Sequence, residues 1–285
     1  MRWTPGGRAN IEDRRGMRGG GGGGFRLGGG MGLGGLAIIL VLSLLTGRNL
    51  FQDSGPVAAP SQQEAGGAVQ STPEEEQLVD YVAFVLNDTH GVWQQLAPRM
   101  GMQYQDAPLV LFRDVVQSGC GNAQSAMGPF YCPLDNKVYL DLAFFEELRR
   151  RFGAEGDFAQ AYVIAHEVGH HVQTLQGTSA RVRELQERRP DAANQLSVRM
   201  ELQADCYAGV WAYSTNQRRL LQEGDVDEAL AAASAVGDDR IQSQARGSIN
   251  PESFTHGTAA QRSEWFKRGF ASGDPRSCDT FQGGV

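Results

Sequence analysis

The sequence predicts a mainly helical α+β fold with a small β-sheet, preceded by one transmembrane helix. Three observations carry this expectation. Apolar residues recur at helical spacing in several long segments after residue 73, and only two short runs, Leu109–Phe112 and Lys137–Asp141, are rich in strand formers. Residues 27–47 contain no charged side chain at all.

That uncharged run is about long enough to span a bilayer as a helix, although its glycine-rich first half is a poor helix former. Residues 1–26 are basic and glycine-rich, with Arg2, Arg8, Arg14, Arg15, Arg18 and Arg26 all on the N-terminal side of the span. The positive-inside rule therefore places the N-terminus in the cytoplasm and the rest of the protein across the membrane, periplasmic or extracellular. A cleaved signal peptide is the weaker alternative, because the charged region is long and no A-x-A site directly follows Leu45. Residues 48–72, rich in Pro, Ala, Gly, Gln and Ser, read as a flexible linker, and residues 73–285 as one domain.

Charge is divided unevenly. The first fifty residues hold seven arginines against Glu12 and Asp13, a net of +5, which leaves −12 on the remainder of a chain whose total is −7. So acidic a body lacks the clustered basic surface that nucleic acid requires. Four cysteines, none in a C-x-x-C pair, suit an exported protein with two disulfides, and Cys120–Cys132 with Cys206–Cys278 is the pairing expected.

Within the body, Thr72 caps a helix that opens with Pro73 and three glutamates and runs to about Asn87, followed by a short helix over 92–100. The stretch 118–133 reads as a disulfide-pinned loop. Lys137–Asp141 is a candidate edge strand for extended substrate, with an interior structural strand as the alternative. A helix with Asp157 as its cap ends near Gly177. Another spans 191–218, an Ala-rich helix starts at Asp225 and Glu228, and Trp265, Phe266 and Phe270 belong to a last one. Asp238 and Asp239 look like a solvated turn.

The chemistry concentrates in 161–172. His166, Glu167 and His170 form H-E-x-x-H, in which the two imidazoles stand about 40° apart on one helical face and can share one ion. Glu167, about 100° from one and about 60° from the other, falls beside the ion, where a general base belongs. His171 lies about 100° round from His170 and is left outside. Catalytic zinc normally takes three protein ligands and a water, and the third could be His, Asp or Glu. Glu201 is the leading candidate because Asp205, one turn later, could accept a hydrogen bond from the second nitrogen of a ligand imidazole. His256 is a further candidate ligand, but its loop position favours stabilisation of a developing oxyanion, with Arg262 as helper, and a purely structural role is the alternative.

The segments 119–121 (Gly-Cys-Gly), 128–133 (Gly-Pro-Phe-Tyr-Cys-Pro), 161–173, 201–206 (Glu-Leu-Gln-Ala-Asp-Cys) and 254–262 (Phe-Thr-His-Gly-Thr-Ala-Ala-Gln-Arg) resemble the bacterial family of predicted neutral zinc metallopeptidases with an N-terminal membrane anchor. The opening Met1-Arg-Trp and Glu12-Asp-Arg-Arg15 are similar too. The resemblance implies a zincin-like domain of the gluzincin kind, one catalytic Zn²⁺ with Glu201 among its ligands, and a protein or peptide substrate. Two other functions fit the residues: a membrane-tethered binding or chaperone-like module with a structural zinc, and a zinc hydrolase of a non-peptide amide in the cell envelope. An intact Glu167 argues against the first, since a structural site has no use for a base.

Overall fold

The computed structural model describes residues 1–17 and 69–281, and within them the chain is mainly helical with two small sheets. The predicted span 27–47 and most of the linker lie outside the described residues. Among the described residues, no helix is long and apolar enough to cross a membrane.

Helix α1 covers Pro73–Leu96, and Thr72 caps it by accepting from the Glu75 amide at 3.2 Å, with Glu74, Glu75 and Glu76 at the positive end of its dipole. The expected break near Asn87 does not occur. The polar residues that suggested it are satisfied by tertiary partners instead: Asn87 donates to Gly7 O, Asp88 accepts from the Trp211 indole, Thr89 bonds back to Val85 O, and His90 pairs with Tyr104 and Ala107 O. The short helix expected after it is only a 3₁₀ turn, Ala97–Met100.

The larger sheet has the order β1-β2-β6-β5, with β1 Ile11–Asp13, β2 Leu109–Phe112, β6 Lys137–Asp141 and β5 Phe130–Cys132. The first three strands are parallel, and β5 runs antiparallel to β6. Lys137–Asp141 is therefore interior, and the edge next to it is β5. The expected loop 118–133 contains a hairpin, β3 Val115–Ser118 with β4 Gly121–Gln124, and the Cys120–Cys132 disulfide ties its turn to β5. Cys206 and Cys278 also form a disulfide, so both expected pairs are present.

Strand β1 revises the domain boundaries. Residues 1–17 are not a separate segment but part of the body: Ile11, Glu12 and Asp13 pair with Leu109, Val110 and Leu111. Trp3 packs edge-on against Tyr81, the Met1 amine lies 2.6 Å from Asp157, and the buried Arg15 guanidinium meets Asp13, Glu75 and Glu76. Sequence patterning misses a three-residue strand whose partner is about a hundred residues away, because two of its three side chains are charged.

The remaining helices are α2 Ala143–Phe152, α3 Asp157–Leu175, α4 Thr178–Arg188, α5 Ala193–Gln217, α6 Asp225–Ala235, α7 Asp238–Arg246 and α8 Ala259–Ser272. Asp157 is the first residue of α3 rather than its cap; the neighbouring Phe158 amide is satisfied by Glu228 at 2.9 Å. Helices α3 and α5 are buried along most of their length and cross closely. A Cβ on Gly169 would lie 3.0 Å from Ala204 O, so the glycine inside the H-E-x-x-H run admits the backbone of α5. Helix α8 closes on the other side of α5, where Gly209 and Gly269 each face the backbone of the other helix with no room for a side chain.

Candidate metal centre

The close crossing of α3 and α5 brings His166, His170 and Glu201 together. One ligand atom from each lies within 4.8 Å of the others. His166 Nε2 is 3.2 Å from Glu201 Oε2, and His170 Nε2 is 3.5 Å from Glu201 Oε1. Tetrahedral zinc with bonds of about 2.0–2.1 Å separates its ligands by about 3.3–3.4 Å, so the donor set, two imidazoles and a carboxylate, fits Zn²⁺ in chemistry and in spacing. The His170 and Glu201 side chains are each 18 % exposed, which leaves the cluster open on one side.

A buried network stands behind His166. Its Nδ1 donates to Asp205 Oδ1 at 2.9 Å, which fixes the ring and leaves Nε2, 3.2 Å from Glu201 Oε2, as the nitrogen that would meet an ion. Asp205 is fully buried and balanced by Arg262, whose Nε and Nη2 lie 2.8 and 2.9 Å from its two oxygens. Tyr162, one turn before His166, donates to the same carboxylate and accepts from Arg262 Nη2 at 3.2 Å. Arg262 is 3 % exposed and makes its shortest contacts with Asp205, and its Nη1 donates to Val236 O at 3.3 Å. Its Nη2 also lies 3.5 Å from His166 Nε2 and 3.9 Å from Glu201 Oε2, so the guanidinium borders the cluster from the Asp205 side.

Electrostatics follow from this packing. Burial works against charge on His166, but Asp205 and Glu201 outweigh it and raise the imidazole to about 9, a field that favours a cation at this ring. Burial raises Glu167 above the ordinary carboxylate range, against the opposing pull of His170 and His166. Burial also pushes Glu201 upward, yet His170 and His256 hold it well below the usual value, so it is an anion. Glu167 is 8 % exposed, and its carboxylate takes no hydrogen bond from a described residue.

His256 sits in the loop before α8, close enough to Glu201 that each shifts the other's proton affinity. Asp238 holds that loop. Its Oδ2 accepts from the amides of Thr255, His256 and Gly257 at 2.7, 2.6 and 3.1 Å, and its Oδ1 lies 3.2 Å from His256 Nδ1. Asp238 is 2 % exposed, not the solvated turn its sequence suggested. His171 points away from the cluster, to Tyr131 and Gln105 O. Sequence reasoning missed Tyr162, Gln173 and Asp238. The first two stand at i−4 from His166 and i+3 from His170, so helical spacing could have found them.

A helix carrying H-E-x-x-H, a glutamate from a second helix and a buried Asp–Arg pair behind the first histidine together form a donor set that could hold zinc. The family described as "Putative neutral zinc metallopeptidase" matches residues 1–281, and the chain belongs to it. The chain is 49% identical over 290 residues to the uncharacterized protein YpfJ of Escherichia coli K12, covering 99% of each, and 50% identical over 206 residues to the uncharacterized protein Rv2575 of Mycobacterium tuberculosis H37Rv, covering 68% of each. No solved structure matches the chain.

The network makes a prediction that separates its two members. Asp205→Asn preserves shape but removes the charge behind His166, and is expected to weaken zinc binding about 10–100-fold. Arg262→Met strands a buried carboxylate and should cost about 3–5 kcal/mol of stability in the metal-free chain. Chelator competition and denaturant unfolding measure the two effects.

Proposed function

We propose that the protein is a zinc-dependent endopeptidase with a zincin-like active site of the gluzincin kind. The observation that carries this reading is the cluster of His166, His170 and Glu201, open on one side, with the unpaired carboxylate of Glu167 on the same helix. His166, His170 and Glu201 would hold the ion. Zinc in such a site polarises a carbonyl and activates water at neutral pH. Glu167, raised by burial, takes a proton from the attacking water and delivers it to the leaving amine. His256, held by Asp238 and facing the negative Glu201, offers a donor to the developing oxyanion.

The mixed sheet supports the same reading. Strand β5 ends the sheet, runs antiparallel to β6, and approaches α3 through the 3.0 Å contact of the Tyr131 hydroxyl with His171, the residue after the ligand His170. An extended peptide pairing with the outer side of β5 would lie along the metal helix, with main-chain hydrogen bonds independent of substrate sequence. Two disulfides suit an oxidising, extracytoplasmic compartment for the body.

The test is Glu167→Gln in the full-length protein. It should bind zinc as the wild type does and lose about 10²–10⁴-fold in peptide hydrolysis. Wild-type cleavage by the zinc-loaded variant, or cleavage by the wild type that survives removal of zinc by chelator, would overturn the mechanism.

A further inference from the structure

His170 has no carboxylate behind it. Its Nδ1 lies 2.9 Å from the side-chain oxygen of Gln173, one turn on along α3. Gln173 is wholly buried. Which end of its amide faces the histidine is decided elsewhere: Gln173 Nε2 lies 2.7 Å from Met200 O and 3.1 Å from Gln203 Oε1. A backbone carbonyl can only accept, so that end is the NH₂ and the oxygen faces His170. Gln203 is fixed in the same way, with its Nε2 3.0 Å from Cys278 O, beside the Cys206–Cys278 disulfide.

From this relay we infer that Gln173 is the positioning residue for the second metal ligand. Two backbone carbonyls, on α5 and in the C-terminal segment, orient two amides, and those amides require His170 to carry its proton on Nδ1. In the neutral ring, Nε2, 3.5 Å from Glu201 Oε1, is then the nitrogen that carries the lone pair for an ion. The two histidines are thus held differently, His166 by a carboxylate neutralised by Arg262, His170 by a neutral amide. A carboxylate at 173 would add a fourth negative group to Glu167, Glu201 and Asp205, with Arg262 the buried arginine among them. The inference rests on the zinc reading above. A plain packing role for Gln173 is the alternative, and metal readouts separate the two.

Full-length Gln173→Met and Gln203→Met are compared with wild type by chelator competition for zinc and by the visible spectrum of the cobalt(II)-substituted protein. Gln173→Met should weaken zinc binding about 10–100-fold and alter the cobalt spectrum. Gln203→Met, one step removed, should do the same to a smaller degree, and it carries the test if Gln173→Met does not fold. Folded variants with wild-type zinc affinity and spectrum would overturn the relay. A wild-type protein that takes up no zinc would overturn the proposed function itself.

A second inference stands on the N-terminal residues alone. Strand β1 is hydrogen-bonded into the sheet, Arg14 N donates to Leu111 O at 2.8 Å, and Arg8 and Arg15 are ion-paired to Glu75, Glu76 and Asp80 of α1. A bilayer cannot separate a strand from the strand it pairs with. We propose that residues 1–17 and 69–281 occupy the same side of the membrane. This replaces the sequence-based topology with a cytoplasmic N-terminus and an exported body. Thr4→Cys and Arg188→Cys, both at exposed positions, test it by labelling with a membrane-impermeant maleimide in intact and lysed cells. Both sites should react, or both be protected, in intact cells; one labelled and one protected would overturn the proposal.

Discussion

Everything at the candidate site depends on how closely α5 lies against α3. Gly169 sets that distance, because any side chain there would meet the backbone of Ala204. The approach carries Glu201 to within 3.5 Å of both ligand histidines and slides Asp205 beneath His166. A glycine in the middle of a helix costs about 1 kcal/mol relative to alanine. Here it permits the one contact that assembles ligands from two helices.

The second constraint is charge. Three carboxylates, Glu167, Glu201 and Asp205, meet in a largely buried space, and such a group is stable only if each charge is balanced or its proton retained. Arg262 answers Asp205. Glu201 is left for the cation, and Glu167 keeps an elevated proton affinity. The candidate ligand, the candidate base and the structural anion thus differ by their surroundings rather than by their chemistry. Gly209, against the backbone of Phe266 and Phe270, and Gly269, against that of Cys206 and Val210, seat α8 closely on α5, and Arg262 of α8 lies buried beside Asp205.

The parts legible in the sequence were those with local spacing. His166, Glu167 and His170 lie within five residues of one helix, and Glu201 with Asp205 within five of another, so their shared faces follow from helical geometry. Arg262 was singled out as charged and close to His256, but its direction depends on how α8 packs, which no local pattern encodes. Asp238 looked like a surface turn because it stands beside Asp239 after a glycine. Only the fold shows that its carboxylate gathers three amides from the His256 loop. The mainly helical α+β class was readable from periodicity. Strand β1, the antiparallel edge β5, and the charged helices α2 and α4 were not, because pairing partners and neighbouring surfaces, rather than their own composition, hold them in place.

The central claim is that these residues form one zinc site with nitrogen and oxygen ligands. Zinc K-edge X-ray absorption on the purified full-length protein, with metal content measured on the same sample, tests it most directly. One zinc per chain, coordinated by two imidazoles with oxygen completing the shell and lost in His166→Ala, is the predicted result. A protein that retains no zinc, or zinc bound through sulfur, would contradict it.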